Sequence, residues 1–279
     1  MSHAPSHCGN CEAPLTGPYC AQCGQSAHES ARSMHALWHD GWHSITHLDG
    51  RLWLTLRLLL VKPGEVSRQF IANHRARFLP PFRLYLIVSL VFFGLLGVTD
   101  HDAVLRIDAT PGAQDQDCAY LAGSHGWFAE RLHATCQQAR VDGGARLRNI
   151  FMAALPRAMF FFLPLIAAGQ LLLYWRPRRH YVEHLVFLLH AHAAAFMMGA
   201  IVLLLQAAAA ALPALKTVAN LAGGLLSVWL FVYLFLAMRR FYGQGRRRTL
   251  AKLLVLGMFY GAAMALTVTL TLLFSALAG

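Results

Sequence analysis

The stretch Tyr181-Val-Glu-His-Leu-Val-Phe-Leu-Leu-His-Ala-His192 sets one carboxylate and three imidazoles into an otherwise apolar run. Glu183, His184, His190 and His192 are groups that hold protons or metal ions near neutral pH. The run reads as the start of a transmembrane helix over 182–212, while the other hydrophobic segments are nearly free of ionisable groups. At membrane depth each such group costs about 2.5–3.5 kcal/mol or more, so these side chains are expected to face a bundle interior or a wet cavity. Glu183 and His190 lie nearly two helical turns apart and share a face, whereas His190 and His192 point about 200° apart and cannot jointly hold one ion unaided. Two readings follow: a Glu/His proton, cation or metal site completed by another helix, or a polar network closing interhelical contacts with Arg157 or Gln170. The network is the expectation. His180-x-x-Glu183-His184 also spells the H-x-x-E-H pattern of inverted zinc proteases. That chemistry needs a third ligand, usually a downstream carboxylate, and no Asp or Glu follows Glu183. An intramembrane hydrolase is therefore the third reading, behind a network and a transporter.

A second constellation lies near the start. Cys8-Gly-Asn-Cys11 and Cys20-Ala-Gln-Cys23-Gly24 are two Cys-x-x-Cys turns, each able to bite one ion with two thiolates. Paired, they predict a closed tetrahedral Cys₄ zinc site from Cys8, Cys11, Cys20 and Cys23. Redox dithiols come singly and open a helix after a strand, which this segment does not offer. Residues 1–30 are too short for a core, so a structural Zn²⁺ would supply the folding energy of the ribbon. Such ribbons bind protein or nucleic acid. Only Arg32 adjoins this one, so a protein partner is expected and nucleic acid is not.

The elements around these residues read as membrane architecture. The chain is 57% hydrophobic and only 13% charged over 279 residues, about half the charged fraction of a soluble protein. Residues 1–50 contain no apolar signal segment. Over 31–81, Trp38, Trp42, Ile45, Leu48, Leu52, Leu56 and Leu59 recur at helical spacing, as in interfacial helices. His35, His39, His43 and His47 fall four apart on the other side, as the wet face of such a helix. Pro63-Gly64 and Pro80-Pro81 interrupt the pattern. Five apolar spans follow, at about 82–98, 151–175, 182–212, 218–238 and 250–278, each near the ~17–25 residues needed to cross a bilayer. Pro164 is expected to kink the second, and Gly257-x-x-x-Gly261 to give the fifth a close helix contact.

Charge fixes the expected orientation. Assigning 1–81, 176–184 and 239–252 to one side, with the charged helix end at Arg83, collects seventeen basic and six acidic residues, against seven of each on the other. The whole net charge of +11 thus falls on one side, which the positive-inside rule makes cytoplasmic. The basic clusters are then topology signals and lipid-headgroup partners. The ribbon is placed inside, and the C-terminus and the 99–150 loop outside. Cys118 and Cys136 share that external loop, where thiols oxidise, and a disulfide is expected.

Four sequence stretches together resemble a bacterial family of uncharacterised membrane proteins with a zinc-ribbon head: Gly17-Pro-Tyr-Cys-Ala-Gln-Cys-Gly-Gln25, Lys62-Pro-Gly64, Asn73-His-Arg-Ala-Arg-Phe-Leu-Pro80 and Tyr181-Val-Glu-His-Leu-Val-Phe187. The family's usual Gly-Lys-Arg stands here as Asn73-His74-Arg75, and His180 lies outside its recurring motif. The resemblance implies a bacterial inner-membrane setting and carries no activity. The expectation is an all-α polytopic membrane protein: a zinc ribbon at 1–30, interfacial helices at 31–81 and a five-span domain at 82–279. Its expected role is partner recruitment at the membrane. A small transporter using Glu183, His184 and His190 is the alternative.

Overall fold

A computed structural model describes residues 6–27, 50–99, 145–175 and 179–278, with single positions between 126 and 137. Two compact units result: Met1–Thr99 with Leu163–Leu256, and Asp100–Phe162 with Gly257–Gly279. The ribbon, the polar residues of 181–192 and their surroundings all belong to the first. The expected His35–His47 ladder, and Cys118 and Cys136 with most of the 99–150 loop, lie outside the described residues.

Among the described residues all regular structure is helical: α1 (Gly50–Val61), α2 (Glu65–Ile71), α3 (Pro81–Val98), α4 (Ala145–Leu173), α5 (Tyr181–Ala211), α6 (Lys216–Tyr242) and α7 (Arg246–Ala278). Four stretches are long and apolar enough to cross a membrane: Pro81–Val98, Tyr181–Ala211, Pro213–Tyr242 and Arg246–Leu266. A shorter apolar run, Phe162–Leu173, lies in α4. Leu90, Leu204, Leu221, Leu225 and Phe231 are exposed on these helices, an apolar surface suited to lipid.

The centre of the first unit is α5, which packs most extensively on α3 and next on α6. Phe92 of α3 stacks on Phe196 of α5 at 5.0 Å, and Phe93 meets the same ring edge-on at 5.3 Å. Gly199 makes this approach possible, because a Cβ there would stand 2.7 Å from the Phe92 ring. The expected close contact at Gly257 and Gly261 is not found: among the described residues nothing lies within 4 Å of where their Cβ atoms would be. Spacing of small residues permits such a contact without supplying the partner.

The segment before the first long apolar helix is a docked layer. Its anchors are the buried Leu59, Val66, Phe70, Phe78 and Leu79. Thr55 ties its ends together, accepting from the Leu79 amide at 3.0 Å and donating to the Arg51 carbonyl at 2.6 Å. Between α1 and α2 the chain turns at Gly64, φ 75°, where a Cβ would come 2.5 Å from the Ala237 carbonyl oxygen of α6. Only glycine adopts that backbone readily and fits that gap. Arg240 locks the turn by donating to the Pro63 carbonyl at 2.7 Å.

That layer changes the setting of α5. At 31 residues the helix is about 46 Å long, well over the ~30 Å of a hydrocarbon core. Val182 to Ala191 are all buried, whereas between His192 and Ala200 buried positions are interspersed with partly exposed ones, and from Ile201 to Ala211 most positions are exposed. The polar end of α5 is thus enclosed by protein on every side, in part by α1 and α2.

Candidate functional site

The ribbon is two copies of one local turn. Cys20 repeats Cys8, Cys23 repeats Cys11, Gly24 repeats Glu12 and Gln25 repeats Ala13. In the first copy the Cys8 amide donates to Ala13 and the Glu12 amide to Cys8. In the second the Cys20 amide donates to Gln25 and the Gly24 amide to Cys20, all at 2.8–2.9 Å. The fifth residue of each turn is left-handed, Gly24 at φ 74° and Glu12 at φ 61°. One antiparallel bridge flanks each copy, His7 with Pro14 and Tyr19 with Ser26. This brings the four sulfurs within 4.8 Å of one another, with Cys8–Cys23 and Cys11–Cys20 each at 3.5 Å. Sulfurs held about 2.3 Å from a tetrahedral zinc stand about 3.8 Å apart, so the cluster fits a Cys₄ zinc, with four free thiols and no disulfide among them. The Cys23 amide, helped by that of Gln22, draws the Cys20 thiol down to about 6, toward the thiolate a metal needs.

Gln25 joins the ribbon to the helices. Its Nε2 donates to the Asn73 carbonyl at 2.9 Å and to Asn73 Oδ1 at 3.2 Å. Its Oε1 accepts from the amides of Arg75 at 3.2 Å and Ala76 at 3.1 Å. Both donors and both lone pairs of one amide are therefore used. Asn73 sits here because it ends α2. With φ 74°, its amide donates to Phe70 and the His74 amide to Gln69, the paired bonds of a Schellman stop. The resemblance puts glycine at this left-handed position. Asparagine is the next best tolerated there, and here its side chain also accepts from Arg75 Nε at 3.2 Å.

The polar residues of α5 separate into three settings. Glu183, 1% exposed, pairs with Arg179 at 2.8 Å and with His180 Nδ1 at 3.3 Å. Arg179 in turn donates to the Phe241 carbonyl at 3.3 Å and lies over the Phe241 ring. His184, fully buried, meets the Tyr242 hydroxyl at 2.7 Å, and that hydroxyl donates to Gln170 Oε1 at 3.1 Å. A hydroxyl has one proton, so His184 carries its own on Nδ1 and leaves Nε2 as a bare acceptor. Tyr174 stacks on Tyr242 at 3.7 Å, and Lys252 lies 3.6 Å from the Tyr174 ring centre. His190, 2% exposed, meets Ser67 Oγ of α2 at 3.0 Å. Around it Leu59, Val66, Phe187 and Tyr233 leave no room for a water molecule.

Glu183 and His190 thus share a face without sharing a partner. Of the expected network partners Gln170 takes part, through Tyr242, while the Arg157 side chain lies outside the described residues. The two imidazoles of the H-x-x-E-H spelling diverge, His180 to Glu183 and His184 to Tyr242. Among the described residues the cysteine quartet is the one group of three or more Cys, His, Asp or Glu converging on a common point. His192 bonds back to the Leu188 carbonyl at 2.9 Å. Ser67, Tyr174 and Tyr242 carried no sequence signal: Ser67 is one of several polar residues in α2, Tyr174 follows the end of α4 and Tyr242 is the last residue of α6. Gln25 did carry one: it stands where the first turn of the ribbon has alanine.

No curated protein and no solved structure matches this chain. Residues 49–93 match the family described as "Protein of unknown function (DUF3667)". That stretch holds Lys62–Gly64 and Asn73–Pro80, the turn that seats α2 on α6 and the loop that receives Gln25, so the chain is similar to that family through its docked layer.

Proposed function

We propose that the chain is a multi-pass inner-membrane protein that recruits a protein partner through a zinc ribbon held fast to its helices. The Gln25 clasp carries this reading. A ribbon on a loose tether would be a separate module, whereas four hydrogen bonds from one side chain make it a fixed feature of the membrane protein's face. Tyr19, 65% exposed, and the exposed Cys11 lie on its free side, and a solvent-facing tyrosine suits a protein contact. In this reading five helices cross the bilayer, the ribbon and the docked layer face the cytoplasm, and Cys118 and Cys136 close a disulfide outside. The enclosed polar end of α5 is structural and holds the layer in place. The test uses the full chain in native membranes, with a photo-crosslinking residue at position 19 and metal analysis of the purified protein. One zinc per chain and a discrete adduct that disappears in Cys20→Ser support the reading. A metal-free protein, or an adduct indifferent to Cys20→Ser, overturns it.

A transport reading has one observation in its favour. His184 Nε2, His190 Nε2 and Gln170 Nε2 are buried with no hydrogen-bond partner among the described residues, and orphaned polar atoms are costly unless something visits them. Proton or cation flux in proteoliposomes that vanishes in Glu183→Gln would favour it.

A further inference from the structure

The loop after α2 has two sides. Asn73, Arg75 and Ala76 bond the ribbon. Ala72, His74 and Arg77, alternating with them, line a cavity of about 240 Å³ whose other walls are Arg68 and Gln69. Every polar side chain in that lining is able to donate a hydrogen bond and none is a carboxylate. Arg68 is held in place by Glu65, its Nη2 at 2.7 Å and its Nε at 3.2 Å from the carboxylate oxygens. Glu65 also accepts from Gln69 at 2.7 Å. Arg68 keeps N–H groups in excess of those two. Arg77 makes no hydrogen bond or ion pair among the described residues, and His74 Nδ1 is buried without a partner.

Two guanidinium groups, an imidazole and an amide around one concave space are donors suited to phosphate oxygens, which arginine grips in pairs. We infer that this pocket binds a phosphate-bearing anion on the side of the loop opposite the ribbon. Arg77 lies only four residues before Pro81, where α3 begins. If α3 crosses a bilayer, as proposed above, the pocket opens at headgroup level and the phosphate is that of an anionic lipid. The phosphate chemistry itself does not depend on that reading.

The experiment takes the full chain, purified in neutral detergent, and measures binding of two probes: phosphatidic acid in mixed micelles, and inorganic phosphate without lipid. Saturable lipid binding that weakens at least tenfold in Arg77→Gln, partly recovers in Arg77→Lys and is unchanged in Lys216→Gln, an exposed control outside the basic clusters, assigns a lipid headgroup. The same pattern with inorganic phosphate alone assigns a free phosphate. Equal affinity in wild type and Arg77→Gln, or equal loss in Lys216→Gln, overturns the pocket. Arg77 is exposed, so its replacement leaves the fold standing. Extraction of the chain from membranes by carbonate would sink the membrane reading separately, leaving the phosphate arm to be judged on its own.

Discussion

Gln25 and Asn73 are joined twice by one nitrogen, at 2.9 Å to the backbone carbonyl and at 3.2 Å to the side-chain oxygen. Gln25→Ala removes these bonds and leaves the Arg75 and Ala76 amides unsatisfied at a partly closed interface. Each orphaned buried group costs about 1–3 kcal/mol. Hydrogen exchange at residues 73–77 should therefore accelerate at least tenfold, about 1.4 kcal/mol. Unchanged exchange would mean the ribbon is not held by this residue.

The same contact supports a double-mutant cycle. A Cβ on Gly9 would run into the Asn73 side-chain amide, so Gly9→Ala should loosen the docking by about 1–3 kcal/mol, the usual range for overpacking. In an Asn73→Gly background that obstacle is gone, and Gly9→Ala should be nearly neutral. Coupling below about 0.5 kcal/mol would show that the two residues act independently.

Gly64 meets two constraints at once, a left-handed backbone and the Ala237 carbonyl. Gly64→Ala meets a backbone cost of about 1–2 kcal/mol and a steric one of about 1–3 kcal/mol. The melting temperature in detergent should fall by several degrees. A melting curve matching wild type would mean α2 is not seated on α6 as described.

Glu183 separates structure from transport. Glu183→Gln keeps an oxygen for Arg179 and His180, and should alter thermal stability little. Glu183→Leu leaves the Arg179 guanidinium without its partner and should destabilise by about 1–3 kcal/mol. Because Glu183 and His190 have different partners, combining Glu183→Gln with His190→Asn should give additive effects. Loss of a growth or flux phenotype in Glu183→Gln at unchanged stability would overturn the structural assignment of this helix.

The proposed orientation is open to a labelling test. An impermeant thiol reagent on intact cells should reach Cys118 and Cys136 only after reduction. Labelling without reductant would remove the disulfide, and none after reduction would count against an external loop.

The four-cysteine cluster was legible because its information is local: two Cys-x-x-Cys turns carry their geometry within a few residues. Apolar helices were legible by length alone. What surrounds Glu183, His184 and His190 was not, because Ser67 comes from 123 residues away, Tyr242 from 58 and Gln170 reaches Tyr242 across 72. Helical periodicity places side chains on a face but does not say which helix arrives there. Hence Glu183 and His190, correctly given one face, were expected in one network. The amphipathic pattern at 50–71 was visible in the same way, while its burial against α5 and α6 depended on Gly64, whose role needs the position of Ala237.

The order of synthesis gives the clasp a further meaning. Both knuckles are complete by Ser26, and their backbone bonds are all local, so the cysteine cluster can close before the rest of the chain exists. The receiving loop emerges fifty residues later, and its own foundation later still: the Ser67–His190 contact spans 123 residues and the Pro63–Arg240 contact 177. Contacts across such long separations close last. By separation the ribbon closes first, its docking on the 73–76 loop spans 48–51 residues, and the seating of that loop on α5 and α6 closes last. The ribbon thus rides on a loop whose own seat is the last part to be built, and a nascent chain halted before α5 would display a folded ribbon on an unseated loop.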